Sequence, residues 1–283
     1  MKEGIIRYID SKENVLSPST VREYRKASER DLKILHSVSY RKLTPELIQS
    51  AINNEAETHS PKTVRNMYNL LTASLKMFYP EFHANITLPQ KIRPTYYVPT
   101  DKDIKKLLKN SKGEEIEKAI LLAALGSLRR SEISPLTIDD ITDIGVVVNK
   151  AQVKNSKNEW VIKSTKSYAG NRISPLPPKV LKKMTADKNG KIVNLTPEQI
   201  YRYFKKKLTE YGIPDFRFHD LRHYYASVLH FLQVPDKYIM EYGGWNTRDT
   251  LDRVYKHILP DKESKEQEKI VNFFDSLSES KQG

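Results

Sequence analysis

The stretch that decides the fold reads HDLRHYYASVLHFL over residues 219–232. His219 and Arg222 are three residues apart, so a helix that begins near Asp220 places both on one face at its N-terminus. The apolar residues behind them follow one stripe that we expect to be buried: Leu221, Tyr225, Val228, Leu229 and Leu232. The free N–H groups and positive dipole at a helix start favour an anion. The stretch therefore predicts a buried helix that presents His219 and Arg222 to an anionic group.

Two motifs follow this helix, Gly244-Trp245 and Tyr255-Lys256-His257. The indole N–H of Trp245 is a donor only and suits a phosphate oxygen. The phenol of Tyr255 is a weak nucleophile until a base accepts its proton, and His219 is a candidate for that base. By itself, a tyrosine in such a triplet is far more often an ordinary surface or core residue, and the chain has 16 tyrosines.

Two further motifs precede the helix. Ser127-Leu128-Arg129-Arg130-Ser131-Glu132 contains an arginine whose planar guanidinium can contact a phosphate through two N–H groups. Thr165-Lys166 stands ahead of Arg172-Ile173-Ser174-Pro175-Leu176-Pro177. Alone, Arg129 would be a solvated helix residue, and Lys166 is one of 48 lysines and arginines. Their joint order suits phosphoryl transfer, in which positive charge and positioning do most of the catalysis.

Taken together, the four motifs resemble the active site of the tyrosine recombinase, or phage integrase, family, whose first-arginine motif usually reads G-L-R-x-x-E. The resemblance implies these catalytic residues: Arg129, Lys166, His219, Arg222, Trp245 and the nucleophile Tyr255. Lys166 would protonate the departing 5′ oxygen, and Trp245 stands where many members carry histidine. Glu132 and His223 are expected to support the site, Glu132 by orienting Arg129 or a histidine.

The resemblance also implies an activity, that of a site-specific DNA recombinase that integrates or excises a mobile element or prophage. Cleavage forms a 3′-phosphotyrosyl link, and strand exchange passes through a Holliday junction held by a homotetramer on two DNA sites. The expected partners are double-stranded DNA and accessory DNA-bending or excision factors. The covalent link stores the bond energy, so no metal or cofactor is expected. The absence of a Walker loop and of a metal-spaced carboxylate cluster from the sequence is consistent with this.

Composition agrees with a nucleic-acid partner without deciding the function. The net charge of +13 suits a polyanion, although a nuclease, a repressor or a ribosomal factor would show the same balance. The chain has no cysteine, which excludes a disulfide framework and a thiolate metal site. The first residues contain no apolar signal core and no run is long enough to cross a bilayer, so we expect a cytoplasmic protein that does not enter membranes.

The N-terminal part, residues 1–84, is predicted to be a helical DNA-binding domain. Three helix starts share a hydroxyl N-cap followed by proline: Ser17-Pro18, Thr44-Pro45 and Ser60-Pro61. The domain is similar to the family's SAM-like core-binding domain. Basic residues on its polar faces and in the following linker are therefore candidates for phosphate contacts: Arg22, Arg25, Lys26, Lys62, Arg65 and Arg93.

Residues 85–99 contain three prolines and predict an extended linker to a catalytic domain over residues 100–260. Thr100 and Thr196 are plausible N-caps there, and a helix from Ile116 is expected to deliver Arg129 at its end. Three short strands are expected near residues 146–148, 160–162 and 172–173, with hairpin turns at 155–158 and 167–171. Lys166 would lie at the mouth of the second hairpin. The predicted fold is mainly α with a small antiparallel β-sheet, arranged as a two-domain clamp around DNA.

The tail, residues 261–283, is charged but carries an apolar patch of Ile270, Val271, Phe273 and Phe274. It either packs on its own domain or, as the family implies, docks on a neighbouring protomer. Many integrases carry a further arm-site domain at the N-terminus, so a chromosome-dimer resolvase type of recombinase, which works without one, is an alternative. A type IB topoisomerase, a hairpin telomere resolvase and an inactive DNA-binding relative also remain open. The apolar tail favours a recombinase over a topoisomerase, and the intact set of catalytic residues disfavours an inactive relative.

Overall fold

The structure is a computed structural model that describes residues 1–92, 97–165, 170–255, 268, 270–272 and 274. The chain divides into two compact units. The first unit comprises Met1–Thr95 together with Val153–Val161, and the second comprises Tyr96–Gln152 together with Ile162–Gly283. The domain boundaries given above stay predictions, and each unit is described by itself.

Helices dominate the first unit. They are α1 (Lys2–Lys12), α2 (Pro18–Arg30), α3 (Pro45–Thr58) and α4 (Pro61–Phe78), with short 3-10 turns at Lys33–Leu35 and Tyr40–Lys42. The predicted starts of α2, α3 and α4 are confirmed, each with proline in the first turn. The hydroxyl groups of Thr44 and Ser60 accept hydrogen bonds from the amides of Leu47 and Thr63. The hydroxyl of Ser17 instead bonds to that of Ser19.

The core of this unit lies where α1 packs against α2 and α4, and α3 against α4. Fully buried aliphatic side chains fill it, among them Ile9, Ile48, Ile52, Val64 and Leu71. The chain after α4 also lies against this core through Ala84, Ile86 and Leu88. Gln49 fixes that segment because its side-chain amide accepts from the N–H of Thr87 at 2.8 Å and donates to the carbonyl of Thr87 at 3.1 Å.

In the second unit, the described residues between 97 and 255 form eight helices. They are α5 (Asp101–Asn110), α6 (Glu115–Gly126), α7 (Arg130–Ile133), α8 (Pro178–Leu181), α9 (Pro197–Glu210), α10 (Asp220–Phe231), α11 (Asp236–Gly243) and α12 (Arg248–Tyr255). Thr100 and Thr196 cap α5 and α9 as predicted, each with a reciprocal capping box. The described tail residues 268, 270–272 and 274 are helical.

The described residues also form four short strands: β1 (Gly145–Val148), β2 (Lys150–Lys154), β3 (Trp160–Ser164) and β4 (Arg172–Pro175). Of these, β2 and β3 lie partly within Val153–Val161 of the first unit. β1 pairs with β4 in antiparallel register from Gly145 opposite Pro175 to Val148 opposite Arg172, and β2 pairs with β3. The mainly helical fold with small antiparallel sheets is thus confirmed. The prediction that a second hairpin joins β3 to β4 is wrong, because these two strands belong to different sheets. Strand β2 was not expected.

The predicted central helix is confirmed as α10, which begins at Asp220 and packs against α6, α11 and α12. Leu221 and Tyr225 are buried and Val228 and Leu229 are partly buried, as expected. The placement of Leu232 in this stripe is wrong. It follows the last helical residue and is 62% exposed. Among the described helices, none is long and apolar enough to span a bilayer.

Candidate active site

The site begins where α6 ends. Ser127 adopts a left-handed conformation with φ of 57°, which turns the chain back on itself and buries Ser127 completely. This conformation is unfavourable for a residue with a side chain, so surrounding structure must hold it. The sequence predicts that Arg129 lies at the end of α6, and this is wrong. Arg129 lies immediately before the short helix α7.

Glu132, in α7, is buried between two arginines. Its Oε1 accepts from Arg129 Nη1 at 2.6 Å, and its Oε2 accepts from Arg172 Nη2 at 3.0 Å. Oε2 also accepts from the backbone N–H of Arg129 at 2.9 Å. Burial alone would raise the pKa of this carboxyl, but the charges of Arg172 and Arg129 and the hydrogen bond from Arg172 lower it to about 2. Glu132 is thus a fixed anion that orients Arg129, the contact that its predicted supporting role requires.

Arg172 belongs to the sequence motif that follows Lys166, and the motif by itself predicts no function for it. Its side chain is almost fully buried at the start of β4. Besides Glu132, it reaches the backbone carbonyl of Ser127 from Nη2 at 3.3 Å and that of Tyr242 from Nε at 3.0 Å. The only sequence signal was a charged residue at the start of an otherwise apolar strand, which by itself does not distinguish a buried arginine from a strand-end residue.

Arg222 lies on the first turn of α10 and is 1% exposed. Its Nη1 donates to the carbonyl of Ser127, while Nε and Nη2 are buried with no hydrogen-bond partner among the described residues. Burial and the neighbouring charge of Arg129 lower the pKa of this guanidinium well below its usual value, although Glu132 opposes them. A buried cation with two unused donors is costly, and an anion with two oxygen acceptors would relieve that cost.

His219 immediately precedes α10, next to Arg222 in space as predicted. Burial, followed by the charges of Arg222, His223 and Arg129, lowers the pKa of this imidazole to about 3. The ring is therefore neutral at physiological pH and one of its nitrogens can accept a proton. The ring of His223 meets it edge to face, with centroids 5.1 Å apart.

Asp220 holds the other side of the helix start. It accepts from Arg217 through the backbone N–H at 2.8 Å and through Nη2 at 2.6 Å. Nδ1 of His223 lies 3.3 Å from Asp220 Oδ1, an ion-pair distance, although it makes no hydrogen bond of good geometry. Burial would raise the pKa of Asp220, but His223 and Arg217 lower it below its usual range. His223 is thus attached to the site through Asp220.

Trp245 packs over Arg222, with the guanidinium carbon 4.6 Å from the ring centroid, which is a cation–π geometry. The tight turn before it requires two glycines. Gly244 has φ of 68°, and a Cβ on Gly243 would lie 1.5 Å from the Trp245 ring. The carbonyl of Gly244 accepts from Arg129 Nη2 at 3.3 Å, so this turn is tied to the first arginine motif.

The structure thus brings together Arg129, Glu132, His219, Arg222, His223 and Trp245 from the predicted set. Lys166 lies outside the described residues. Tyr255 ends helix α12, which packs on α10, but the placement of its side chain is outside what is described. In the described ranges, no group of three or more histidine, cysteine, aspartate or glutamate side chains is arranged to hold a metal ion.

The predicted DNA-contacting residues of the first unit lie on its surface or at partly buried positions. On α2, Arg22 pairs with Glu23, Arg25 with Asp10 and Glu13, and Lys26 with Glu23. On α4, Lys62 is exposed and Arg65 donates to the carbonyl of Pro89 from Nε and Nη2. Arg93 lies outside the described residues. Because their acidic partners are exposed, the ion pairs on α2 contribute little to stability. Phosphate contacts by these residues stay a prediction.

Comparison with known proteins decides the family. The model of the Phage integrase family matches residues 98–262, which is more than half of the chain and includes every residue of this site. The chain belongs to the phage integrase family. The integrase of Salmonella phage P22 is 31% identical over 136 residues, which are 47% of this chain and 30% of that protein. A tyrosine recombinase XerC-like protein of Caldanaerobacter subterraneus is 22% identical over 226 residues, 66% of this chain and 57% of that one.

Solved structures share the fold. The Tn1549 transposon integrase, in complex with transposon right end DNA, superposes with a TM-score of 0.76 over 95% of this chain and 99% of that chain, at 16% identity. A lambda integrase tetramer bound to a Holliday junction gives 0.64 over 90% and 77%, also at 16% identity. This chain spans from 17% to 57% of the length of the curated relatives it matches.

Proposed function

We propose that this protein is a site-specific DNA recombinase that cleaves and rejoins DNA through a covalent link to Tyr255. The observation that carries the proposal is the buried guanidinium of Arg222, which lies beside Arg129 and under Trp245 and whose Nε and Nη2 have no partner among the residues that the structure describes. Two neighbouring planar cations suit the nonbridging oxygens of a phosphodiester. Membership in the phage integrase family supports the same reaction.

The first step is in-line attack on a scissile phosphate. The phenolic oxygen of Tyr255 forms a bond to phosphorus, the bond from phosphorus to the 5′ oxygen breaks, and a 3′-phosphotyrosyl link and a 5′ hydroxyl result. His219 accepts the phenolic proton, and Lys166 gives a proton to the departing oxygen. Arg129 and Arg222 stabilise the charge that develops on the nonbridging oxygens. The 5′ hydroxyl of a second duplex then reverses these bond changes.

The neutral state of His219 supports its role as the base. Its pKa of about 3 leaves the ring unprotonated in the absence of DNA. A bound phosphate adds negative charge beside it, which raises the imidazole pKa toward the value that proton transfer requires. The Trp245 indole covers Arg222 and excludes water, so that the charge interactions act in a medium of low dielectric constant.

Recombination requires two DNA sites, so the proposed assembly is a homotetramer that passes through a Holliday junction. The lambda integrase of similar fold is known as a tetramer bound to such a junction, and the Tn1549 transposon integrase is known in complex with transposon right end DNA. We place the reaction on double-stranded DNA in the cytoplasm, with integration or excision of a mobile element as the outcome. The two units would clamp the duplex, the first through Arg22, Arg25, Lys26, Lys62, Arg65 and Arg93.

The test uses a nicked suicide duplex whose sequence is taken from the DNA that flanks the gene. Cleavage frees the short strand between the scissile phosphate and the nick, which carries the 5′ hydroxyl. When this strand diffuses away, the covalent intermediate cannot be religated, and a denaturing gel resolves it. The wild-type protein should form the adduct, and Tyr255→Phe should bind the duplex in a gel shift but form none, because it lacks only the nucleophilic oxygen. Tyr238→Phe, a change at an exposed tyrosine of α11, is the matched control and should cleave normally. A denaturant-stable adduct formed by Tyr255→Phe would refute the assignment.

A further inference from the structure

Arg172, the buried arginine on β4, contacts the groups that position Arg129 and Arg222, the two arginines proposed to bind the phosphate. Its four contacts go to three different places in the chain: the Glu132 carboxylate, the Ser127 carbonyl and the Tyr242 carbonyl. Glu132 in turn holds Arg129, and the Ser127 carbonyl also accepts from Arg222. Arg172 therefore shares one acceptor residue with each of the two proposed phosphate ligands.

The third contact of Arg172 extends this frame to the turn that carries Trp245. Tyr242 lies two residues before Gly244, whose carbonyl accepts from Arg129. The end of α6, the helix α7 and the end of α11 are thus tied to one side chain. Lysine could not replace it, because a single ammonium does not span acceptors that lie on different sides of a planar guanidinium.

The hydrogen-bond pattern also argues against a direct phosphate contact by Arg172. Nε and Nη2 are used by backbone carbonyls and by Glu132, and the side chain is 2% exposed. In Arg222, by contrast, Nε and Nη2 have no hydrogen-bond partner within the described ranges. Arg172 thus bonds to protein acceptors through all three of its nitrogens, whereas Arg222 has donors available for a ligand in the described part of the chain. We therefore expect the two arginines to have different roles.

We infer that Arg172 is a positioning residue for DNA cleavage, which holds Glu132 and the Ser127 carbonyl so that Arg129 and Arg222 face the same phosphate. This inference rests on the proposed function. It predicts that Arg172 variants bind a single DNA site as the wild type does but cleave it slowly. Arg172→Lys should slow single-turnover cleavage of the suicide duplex at least tenfold, and Arg172→Gln on the order of a hundredfold, the scale for losing one aligned transition-state donor.

A purely structural role would also slow cleavage, so the test needs readouts that such a role does not move. The first is coupling with Glu132. If Arg172 acts through this carboxylate, Glu132→Gln and the double variant Arg172→Gln/Glu132→Gln should lose about as much cleavage as Arg172→Gln alone. Arg172→Gln leaves the buried Glu132 carboxylate with Arg129 as its remaining ion-pair partner. The double variant removes that carboxylate charge, so it keeps the experiment informative if the single variant does not fold.

The second readout is the pH profile. In the wild type, Arg172 is the strongest attractive influence that keeps the Glu132 pKa low despite burial. Without it the pKa of this buried carboxyl should rise, although Arg129 and Arg222 still lower it, so cleavage by Arg172→Gln should show an acid limb that the double variant lacks. Lys207→Gln is the control for loss of a buried cation, because Lys207 is buried and pairs with the half-exposed Glu114 and Glu210 in the same unit. Among the described residues it makes no hydrogen bond or ion pair with Arg129, Arg172 or Arg222.

The outcomes are distinct. Cleavage losses that multiply in the double variant would overturn the inference. The inference would also be overturned if the Arg172 variants lost thermal stability and single-site binding in proportion to their loss of cleavage. That is the pattern expected of a purely structural change such as Lys207→Gln. Failure of the wild-type protein to form any adduct would refute the proposed function instead. In that case the pH dependence of the thermal midpoint, compared between Arg172→Gln and the double variant, still tests whether Arg172 controls Glu132.

Discussion

The guanidinium of Arg222 donates to the backbone carbonyl of Ser127, 95 residues earlier in the chain. This contact uses Nη1, while Nε and Nη2 are buried and have no hydrogen-bond partner in the part of the chain that the structure describes. The carbonyl is available because Ser127 takes a left-handed conformation at the end of α6. The left-handed backbone of Ser127 and the buried guanidinium of Arg222 are therefore joined by one hydrogen bond, which in the proposed mechanism holds the arginine for a phosphate.

Arg222→Lys should abolish most of the cleavage and spare folding. An ammonium can satisfy the Ser127 carbonyl or the phosphate, but it cannot form the two parallel N–H contacts of a guanidinium. We expect single-turnover cleavage of the suicide duplex to fall about a hundredfold, with single-site binding reduced far less. Arg202→Lys, on the exposed side of α9, is a matched control. Near-normal cleavage by Arg222→Lys would remove Arg222 from the phosphate site.

Ser127→Gly should stabilise the protein, because glycine adopts φ of 57° without steric cost. The expected gain in the free energy of unfolding is about 1 kcal/mol, the relief of left-handed strain less the added entropy of the unfolded glycine. Urea unfolding followed by circular dichroism measures it. Ser127→Ala removes the same buried hydroxyl but keeps the strained backbone. A glycine variant no more stable than the alanine variant would show that strain is not stored here.

His219 should make the free protein less stable in mild acid. Its folded pKa of about 3 lies below the ordinary 6.5, so between these values the unfolded chain binds more protons than the folded one. Stability therefore rises with pH in this window and is lost as the pH falls from about 6.5 toward 3. Glu132, with a pKa lowered from 4.5 to about 2, adds its loss only below about pH 4.5. His219→Gln should flatten the decline of the thermal midpoint between pH 7.5 and 5, and an unchanged slope would contradict the shift.

The tail should serve assembly rather than chemistry. Its described apolar residues Ile270, Val271 and Phe274 are between 55% and 62% exposed, although burying each would contribute about 1.5–3 kcal/mol. A chain that ends after Lys262 should keep its melting temperature, bind one site and still cleave the suicide duplex. It should fail to form synaptic complexes of two sites in a native gel. A markedly lower thermal midpoint after truncation would instead place the tail in the core of its own domain.

The parts of the fold that were predictable from sequence depend on short-range chemistry. The helix starts at Thr44 and Ser60, where a hydroxyl residue precedes proline, were predictable because the capping hydroxyl and the amide that it accepts from lie within one turn. The start of α10 at Asp220 was predictable from the local sequence in the same way. Leu232 was misplaced because the apolar period continues after the helix has ended. The pairing of β1 with β4 was missed, since residues 24 to 30 positions apart leave no local signal.

The same distinction applies to the site. The order of motifs predicted Arg129, His219, Arg222 and Trp245, which the structure brings together. Arg172 and Ser127 were given no role because their importance lies in partners far along the chain, Glu132 and Arg222. A buried arginine is recognisable only once its acceptors are known, and a serine in a left-handed turn has no sequence signature where glycine is the usual residue.

The most direct test of the account is to identify the residue that carries the DNA. The covalent adduct from the suicide duplex would be digested with nuclease and then with a protease that cleaves before aspartate, and the peptides analysed by mass spectrometry. Such cleavage releases residues 252–260, DRVYKHILP, in which Tyr255 is the only tyrosine. The account predicts that this peptide carries the residual nucleotide through a phosphate ester to Tyr255. A nucleotide attached to any other residue, or no adduct with any flanking sequence, would contradict it.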